Sequence, residues 1–214
     1  MATVVRPATR DDCRILAYHA YLAGKSHVDK SIYDIMIPGI AGPTDARLSA
    51  IEKILQTDTV SWMHYTFCSV AELEGTVEGS LSHYHTRDGA DANILTALLE
   101  AGWAEDEIKA MGARLKPLFD IDFVKPPEAM IIENVAVSPM FRRHGILSLL
   151  LEDSEHLGRS GGFEFMQLGM MVGNTRARKA YERSGFEVVE TRISPDFEKL
   201  FNSPGMQLLK RKLS

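Results

Sequence analysis

The segment from Val135 to Leu151 constrains the fold more than any other part of the chain. It reads VAVSPMFRRHGILSLLL: an apolar strand that ends at Pro139, a short basic turn with one glycine, and the start of an amphipathic helix. The start of a helix has free backbone N–H groups and a partial positive charge, and Arg142 and Arg143 add two full charges beside it. The segment therefore predicts a strand–turn–helix unit whose turn binds a phosphate-bearing ligand.

Two common phosphate-binding patterns do not fit this turn. No Gly-Lys-Ser or Gly-Lys-Thr follows it, and the chain contains no GxGxxG. The sequence therefore argues against a P-loop and against the dinucleotide-binding fingerprint.

A second motif runs from Asn174 to Phe186 and reads NTRARKAYERSGF. Asn174 is a favoured residue for the start of a helix, and Gly185 suits the left-handed position that ends one. Tyr181 follows Asn174 by about two helical turns, so the two side chains lie on one face of the predicted helix. The small side chain of Ala177 on that face would let a ligand pass close to the helix.

Together and in this order, the two motifs closely resemble those of the GCN5-related N-acetyltransferases. The first motif of that family reads Gln/Arg-x-x-Gly-x-Gly/Ala; Arg142 and Gly145 match it, and Leu147 departs from it. The second family motif, Asn-x-x-Ala-x-x-x-Tyr-x-x-x-Gly-Phe, is matched in full by Asn174, Ala177, Tyr181, Gly185 and Phe186. The recognisable match covers residues 128–190, and the N-terminal part agrees in its coarse order of elements.

The resemblance implies a mixed α/β (α+β) fold with a central, mostly antiparallel sheet, a splayed pair of fourth and fifth strands, and flanking helices. It also implies an enzyme that uses acetyl-CoA as cosubstrate and no metal. In this reaction the acetyl group passes to a primary amine by direct attack in a ternary complex. The first choice of acceptor is a small molecule, and the second choice is a protein amine.

The same resemblance implies where the coenzyme binds. The pyrophosphate would meet backbone N–H groups of the basic turn, the pantetheine arm would lie along the fourth strand, and Asn174 would reach a pantetheine amide. The implied coenzyme-binding residues are Val135, Ala136, Val137, Arg142, Arg143, His144, Gly145, Ile146, Leu147, Ser148, Asn174, Ala177 and Tyr181.

Two residues are candidates for proton transfer. Tyr181 would donate a proton to the departing CoA thiolate, because a phenol keeps its proton at neutral pH; the alternative is that it only packs against the coenzyme. Glu133 is the first candidate for the base that deprotonates the amine, and the alternative is a structural carboxylate. His83 and His85 form a second candidate set on one side of the third strand, or are plain surface residues.

Further residues have two interpretations each. Arg176, Arg178 and Lys179 are predicted to form a solvated helix face, and one of them could contact the 3′-phosphate of the coenzyme. Tyr33 and the Gly/Pro-rich stretch after it could line the acceptor side, because the family often builds acceptor pockets between its first two helices.

Composition limits the remaining functions. With 214 residues, 45% of them hydrophobic, the chain predicts one domain over residues 1–214 with a helical insertion at about 88–122. A net charge of −5 gives no general affinity for nucleic acid or an anionic membrane. The two cysteines have no metal-like spacing, and no signal peptide or long apolar run is present, so a cytoplasmic setting is expected. A homodimer is common in the family.

Hydrophobic periodicity and turn residues predict the order of elements. The predicted strands are 3–6, 61–71, 76–84, 129–137, 163–170, 187–193 and 206–213. The predicted helices are 9–22, 45–55, two within 88–122 that are split near Gly102, 145–157 and 174–185. Residues 32–43 are predicted to be irregular, and 194–205 to form a loop or a short helix.

Two other classes of function remain open on the sequence. The first is a non-catalytic acyl-CoA-binding module on the same fold, which would bind CoA without releasing its thiol. The second is a phosphate-binding scaffold that assembles with itself, since a fold does not determine a function.

Overall fold

The structure is a computed structural model that describes residues 3–87 and 89–213. Within these residues the chain forms a central sheet with helices on both faces. The strands are β1 Thr3–Pro7, β2 Cys68–Leu73, β3 Thr76–Tyr84, β4 Ala129–Val137, β5 Phe165–Met171, β6 Glu187–Ile193 and β7 Gly205–Lys212. The helices are α1 Cys13–Lys25, α2 Ile32–Met36, α3 Asp45–Leu55, α4 Ile94–Glu100, α5 Glu105–Phe119, α6 Ile146–Ser160, α7 Thr175–Arg183 and α8 Pro195–Phe201.

The sheet has the strand order β1-β2-β3-β4-β5-β7-β6, and β4 with β5 is its parallel pair among antiparallel neighbours. The pairing of β4 with β5 ends at Ile131 opposite Gln167, after which the two strands separate. We call the space between Glu133–Val137 of β4 and Leu168–Met171 of β5 the fork. The predicted fold class, with its splayed fourth and fifth strands, is confirmed.

A β-bulge bends β4 at the fork. Ser82 of β3 pairs with Glu133, whereas Ser80 pairs with Ala136, so β4 has one more residue than β3 between these two pairs. Asn134 takes up the irregularity with a φ of 51°, a left-handed conformation that asparagine tolerates better than most residues. The bulge re-aims the strand, so that Glu133 and Asn134 both face the same side of the sheet.

Two cores hold the helices to the sheet. On one side, which we call the α6 face, α6 and α7 cover a core that includes Leu81, Ile132 and Leu151. On the other side, the α1 face, helices α1 to α5 and α8 surround a core that includes Ile51 and Phe197. The fork therefore opens between two layers of helices.

The two helices predicted within 88–122 are present as α4 and α5, and Gly102 between them has a φ of 94°. That they form an insertion into a single domain stays a prediction. Met1, Ala2, Asp88 and Ser214, which belong to the predicted domain or its insertion, lie outside the described residues.

Two of the predicted elements are wrong in part. The strand predicted over 61–71 begins only at Cys68, because residues 61–67 fold into turns; there His64 N–H donates to the Ser61 carbonyl at 2.8 Å.

The stretch 32–43 is not irregular throughout. It starts with α2, because the Ser31 hydroxyl accepts from the Tyr33 N–H while Asp34 accepts from the Ser31 N–H. Residues 195–201 form the short helix that was one of the two alternatives.

No helix within residues 3–87 and 89–213 combines the length and the apolar character needed to span a membrane.

Candidate active site

The basic turn before α6 has an unusual backbone. Arg143 and Gly145 both have positive φ values, 71° and 82°, and the turn reverses the chain between β4 and the helix. No side chain caps the start of α6 within the described residues. Its first N–H groups are therefore available to an external acceptor such as a phosphate oxygen.

An open cavity of about 500 Å³ lies over this turn. It is lined by Pro139, Met140, Arg142, Arg143, His144 and Arg176. Three guanidinium groups thus surround one cavity, two from the turn and one from the first turn of α7. Arg178 does not line it and instead pairs with Glu182, at 2.7 Å between Nε and Oε1. This cavity has the positive charge that a pyrophosphate or a 3′-phosphate needs.

The departure from the family pattern at Leu147 leaves the turn open. The Leu147 side chain packs against the α6-face core. Its bulk is therefore directed into the protein and does not fill the space over the backbone.

The fork exposes one edge of β4. Ala136 and Val137 pair with Ser80 and Gly79 of β3, and beyond Ile131 β4 has no register with β5. Backbone N–H and C=O groups on the fork side of this segment are therefore open to an extended ligand, which could pair with them as a strand does.

Asn174 caps α7, the helix that follows β5, and Tyr181 lies within that helix. Tyr181 is 8% exposed and packs edge-on against Phe186, and burial raises the pKa of its phenol. Asn174 caps α7 by accepting from the Ala177 N–H at 3.1 Å, and its Nδ2 donates to Ser26 Oγ at 2.8 Å. Contact of Asn174 with a pantetheine amide stays a prediction.

Glu133 faces the fork region from the α1 face. Its Oε1 accepts from the Tyr84 hydroxyl at 3.1 Å and lies 3.4 Å from Lys125 Nζ. Desolvation raises the pKa of the Glu133 carboxyl, and the positive charge of Lys125 opposes that shift. The side chain remains 27% exposed, so a carboxylate with raised basicity is still in contact with solvent.

The two histidines of the second candidate set do not join Glu133. His83 faces α6, where its Nε2 lies 3.1 Å from Ser69 Oγ, and Ser69 donates to Asp153 at 2.8 Å. His85 follows the end of β3 and packs on the ring of Phe163. The structure argues against the interpretation of this pair as a base beside Glu133, because His83 lies on the opposite face of the sheet and His85 packs on Phe163; both histidines are half-buried, so they are not plain surface residues either.

Sequence reasoning missed Tyr84, Lys125 and Gln167. Tyr33, which sequence reasoning did single out, donates to Asn134 Oδ1 at 3.3 Å. Tyr84 and Lys125 contact Glu133 itself, but they come from separate parts of the chain and carry no local pattern. Gln167 could have been found, because it is a lone amide in the apolar strand FMQLGMM.

The sheet is mostly antiparallel and forked, and a cationic helix start lies at the fork. This arrangement defines an acyltransferase-like α/β protein that can hold an extended, phosphate-bearing thioester. Comparison with family models gives the Acetyltransferase (GNAT) family over residues 49–186. Since this is more than half of the chain, the protein belongs to the GNAT family. It is an acetyl-CoA-dependent N-acetyltransferase.

Solved structures agree with this fold. An N-acetyltransferase from Staphylococcus aureus Mu50 matches with a TM-score of 0.69 and 22% identity over 97% of this chain and 99% of that one. A GCN5-related N-acetyltransferase from Kribbella flavida matches with a TM-score of 0.57 and 19% identity over 99% and 98% of the two chains. YncA from Salmonella typhimurium, solved with its cofactor acetyl-CoA, matches with a TM-score of 0.53 and 15% identity over 100% and 95%. Comparison with curated proteins gives no significant match.

Acetyl-CoA is the cosubstrate of this family, and the cavity, the uncapped helix start and the open edge of β4 fit its pyrophosphate and its amide-bearing arm. In the part of the chain that the structure describes, no group of three or more His, Cys, Asp or Glu side chains could hold a metal ion.

Proposed function

We propose that the protein transfers the acetyl group of acetyl-CoA to the primary amine of a small molecule, by direct attack within a ternary complex. The observation that carries this proposal is the fork, because it offers unpaired β4 backbone next to a cationic helix start on one side and a basic carboxylate on the other.

The proposed coenzyme contacts are supported by the uncapped start of α6 and by the open edge of β4. The pyrophosphate is held by the N–H groups at Ile146 to Ser148 and by the guanidinium groups of the cavity, with Arg176 among them. The pantetheine arm lies along Val135 to Val137 and pairs with the open edge of β4. An N–H of this segment then polarises the thioester carbonyl, because a fixed donor at that oxygen stabilises the charge that develops there.

The chemistry needs two proton transfers. The amine nitrogen attacks the thioester carbon, the C–N bond forms and the C–S bond breaks. The proton that the amine loses passes to Glu133, directly or through one water molecule. Tyr181 gives its proton to the departing thiolate, since a phenol keeps that proton at neutral pH until the thiolate forms.

The enclosure of the site favours a small acceptor. Glu133 lies beside Tyr84, Lys125 and Asn134, and Tyr33 of α2, which donates to Asn134, is only 5% exposed. An acceptor must bring its amine into this enclosure, which a small molecule does more easily than a folded protein surface. A single domain over residues 1–214, a cytoplasmic setting and a homodimer are further parts of the proposal.

The test is release of free CoA thiol from acetyl-CoA with a panel of small amines, together with calorimetric titration of acetyl-CoA. We expect stoichiometric binding and thiol release that depends on the amine. Binding without thiol release from any amine would instead support the non-catalytic acyl-CoA-binding module, and absence of binding would contradict the coenzyme site itself.

A further inference from the structure

Gln167 has a fixed amide orientation. It is 3% exposed and occupies the last position of β5 that pairs with β4. Its Nε2 lies 2.8 Å from the carbonyl oxygen of Val124. Because a carbonyl oxygen only accepts hydrogen bonds, the amide end that faces Val124 must be the nitrogen.

The other end of the amide lacks a partner. Gln167 Oε1 is inaccessible to solvent and accepts no hydrogen bond from any group in residues 3–87 and 89–213. A buried acceptor without a donor is costly, and proteins rarely retain one that nothing satisfies. The geometry therefore points to a donor that is not part of the polypeptide.

This oxygen belongs to the same face of the sheet as Glu133. Ile131, the partner of Gln167, packs with Tyr84, and Phe165 packs against both, so Phe165 and Gln167 face the side of Tyr84. The hydroxyl of Tyr84 in turn contacts Glu133. At the base of the fork, then, β4 contributes a carboxylate and β5 contributes an unpaired amide oxygen.

The next position of β5 on this face is Gly169, which carries no side chain. A Cβ atom added there would be in van der Waals contact with Met206 at 3.5 Å and with Phe123 at 3.9 Å. At Gly169, therefore, β5 itself places no side chain beside the fork, and Met206 and Phe123 border this position.

This inference rests on the proposed function. We propose that Gln167 Oε1 accepts a hydrogen bond from an N–H of the acceptor amine and thereby selects primary over secondary amines. A neutral primary amine has one lone pair and two N–H bonds. The lone pair attacks the thioester carbon, one N–H proton is lost to Glu133, and the other N–H donates to Gln167 Oε1. That second proton stays on nitrogen in the amide product. A secondary amine has a single N–H and leaves Oε1 unpaired.

The first test compares benzylamine with N-methylbenzylamine, and propylamine with N-methylpropylamine, as acceptors. The Gln167→Met variant keeps the size of the side chain and removes the acceptor. We expect the preference for the primary amine, as a ratio of kcat/KM values, to fall about ten-fold, which is the worth of one net hydrogen bond. The KM for acetyl-CoA should not change.

Gln207→Met on neighbouring β7 is the matched control, because the amide of Gln207 bonds the Thr191 hydroxyl at the exposed surface. It should leave the preference intact. A purely structural role for Gln167 would lower stability and all rates alike, so an unchanged ratio in Gln167→Met would overturn the inference.

The second test needs no variant and no turnover. Crystals of the wild-type protein are soaked with methylammonium chloride or with tetramethylammonium chloride, which has the same charge and no N–H group. We expect a nitrogen within hydrogen-bond distance of Gln167 Oε1 in the first soak only. Water on Oε1 in both soaks would overturn the inference. This result is independent of thiol release, so the failure of the acetyl transfer and the failure of the Gln167 assignment can be told apart.

Discussion

At the scale of single residues, the site combines groups that sequence reasoning found with groups that it did not. Tyr181 and Glu133 were predicted from a motif and from a position on a strand. The structure adds what tunes them: the burial of Tyr181 beside Phe186, and the contacts of Glu133 with Tyr84 and Lys125. Their catalytic roles stay predictions, and two substitutions test them.

Tyr181→Phe keeps the ring and its packing but removes the proton. We expect kcat to fall on the order of 10²-fold or more, because a positioned general acid contributes that much. Calorimetry should show acetyl-CoA binding unchanged. If turnover survives at the wild-type rate, Tyr181 only packs against the coenzyme.

Glu133→Gln removes the proposed base, a carboxyl group whose pKa is raised above its ordinary value. In the wild type, kcat/KM for the amine should rise with pH through this raised pKa, because only the deprotonated carboxylate accepts a proton. The variant should be slower and should lack this rise. Lys125→Met gives a second check: loss of the opposing positive charge should move the rise to higher pH. Identical pH profiles for wild type and Glu133→Gln would exclude Glu133 as the base.

At the scale of elements, the Gly/Pro-rich stretch after α2 is held by a buried cation. Arg47 of α3 is 2% exposed, pairs with Asp34 at 3.1 Å, and donates to the carbonyl oxygens of Tyr33, Ile37, Ile40 and Gly42. The segment was predicted to be irregular because its local sequence has no periodicity. Its order comes from a residue on another helix, and it places Tyr33 beside Asn134.

Arg47→Met should therefore destabilise the protein by about 3–5 kcal/mol, since it leaves Asp34 as an uncompensated buried charge. Urea unfolding measures this. Arg14→Met is the control: Arg14 pairs with Asp45 and Glu52 but is 42% exposed, so its loss should cost less than about 1 kcal/mol. Equal losses in the two variants would contradict the role assigned to Arg47.

At the scale of the whole molecule, burial of α1 against the sheet makes stability depend on pH. His19 of α1 is fully buried, with Nδ1 at 3.0 Å from Ser80 Oγ, and desolvation lowers the pKa of its imidazole to about 4. Below about pH 6.5 the unfolded chain binds a proton that the folded protein does not take up, so the unfolded state is favoured as pH falls.

Between about pH 6.5 and pH 4 this linkage should cost on the order of 3 kcal/mol of stability. Thermal unfolding across this range should show a smaller loss of Tm in His19→Gln than in the wild type. His156→Gln, at an exposed position of α6, should behave as the wild type does. If the slope of Tm against pH is the same in His19→Gln and in the wild type, groups other than His19 dominate the pH dependence of stability.

Much of the fold could be predicted because its elements have local causes. The strand–turn–helix unit at Val135–Leu151 and the α7 motif combine hydrophobic periodicity with residues that start and end helices, and both elements are found close to the predicted bounds. Residues 61–67 were predicted wrongly as a strand. Their aromatic and β-branched composition favours extended structure, and local hydrogen bonds of Ser61 and His64 override it.

The sequence by itself determined the family and most of the order of the elements, because both rest on residues close together in the chain. Only the tertiary structure decided which side chains surround Glu133, the proposed base. The bulge at Asn134 turns Glu133 and Asn134 to one face, His83 is carried to the opposite face, and Tyr84 and Lys125 reach Glu133 from two separate segments. No local pattern encodes these contacts, because they arise from how the strands pair and where two of them part.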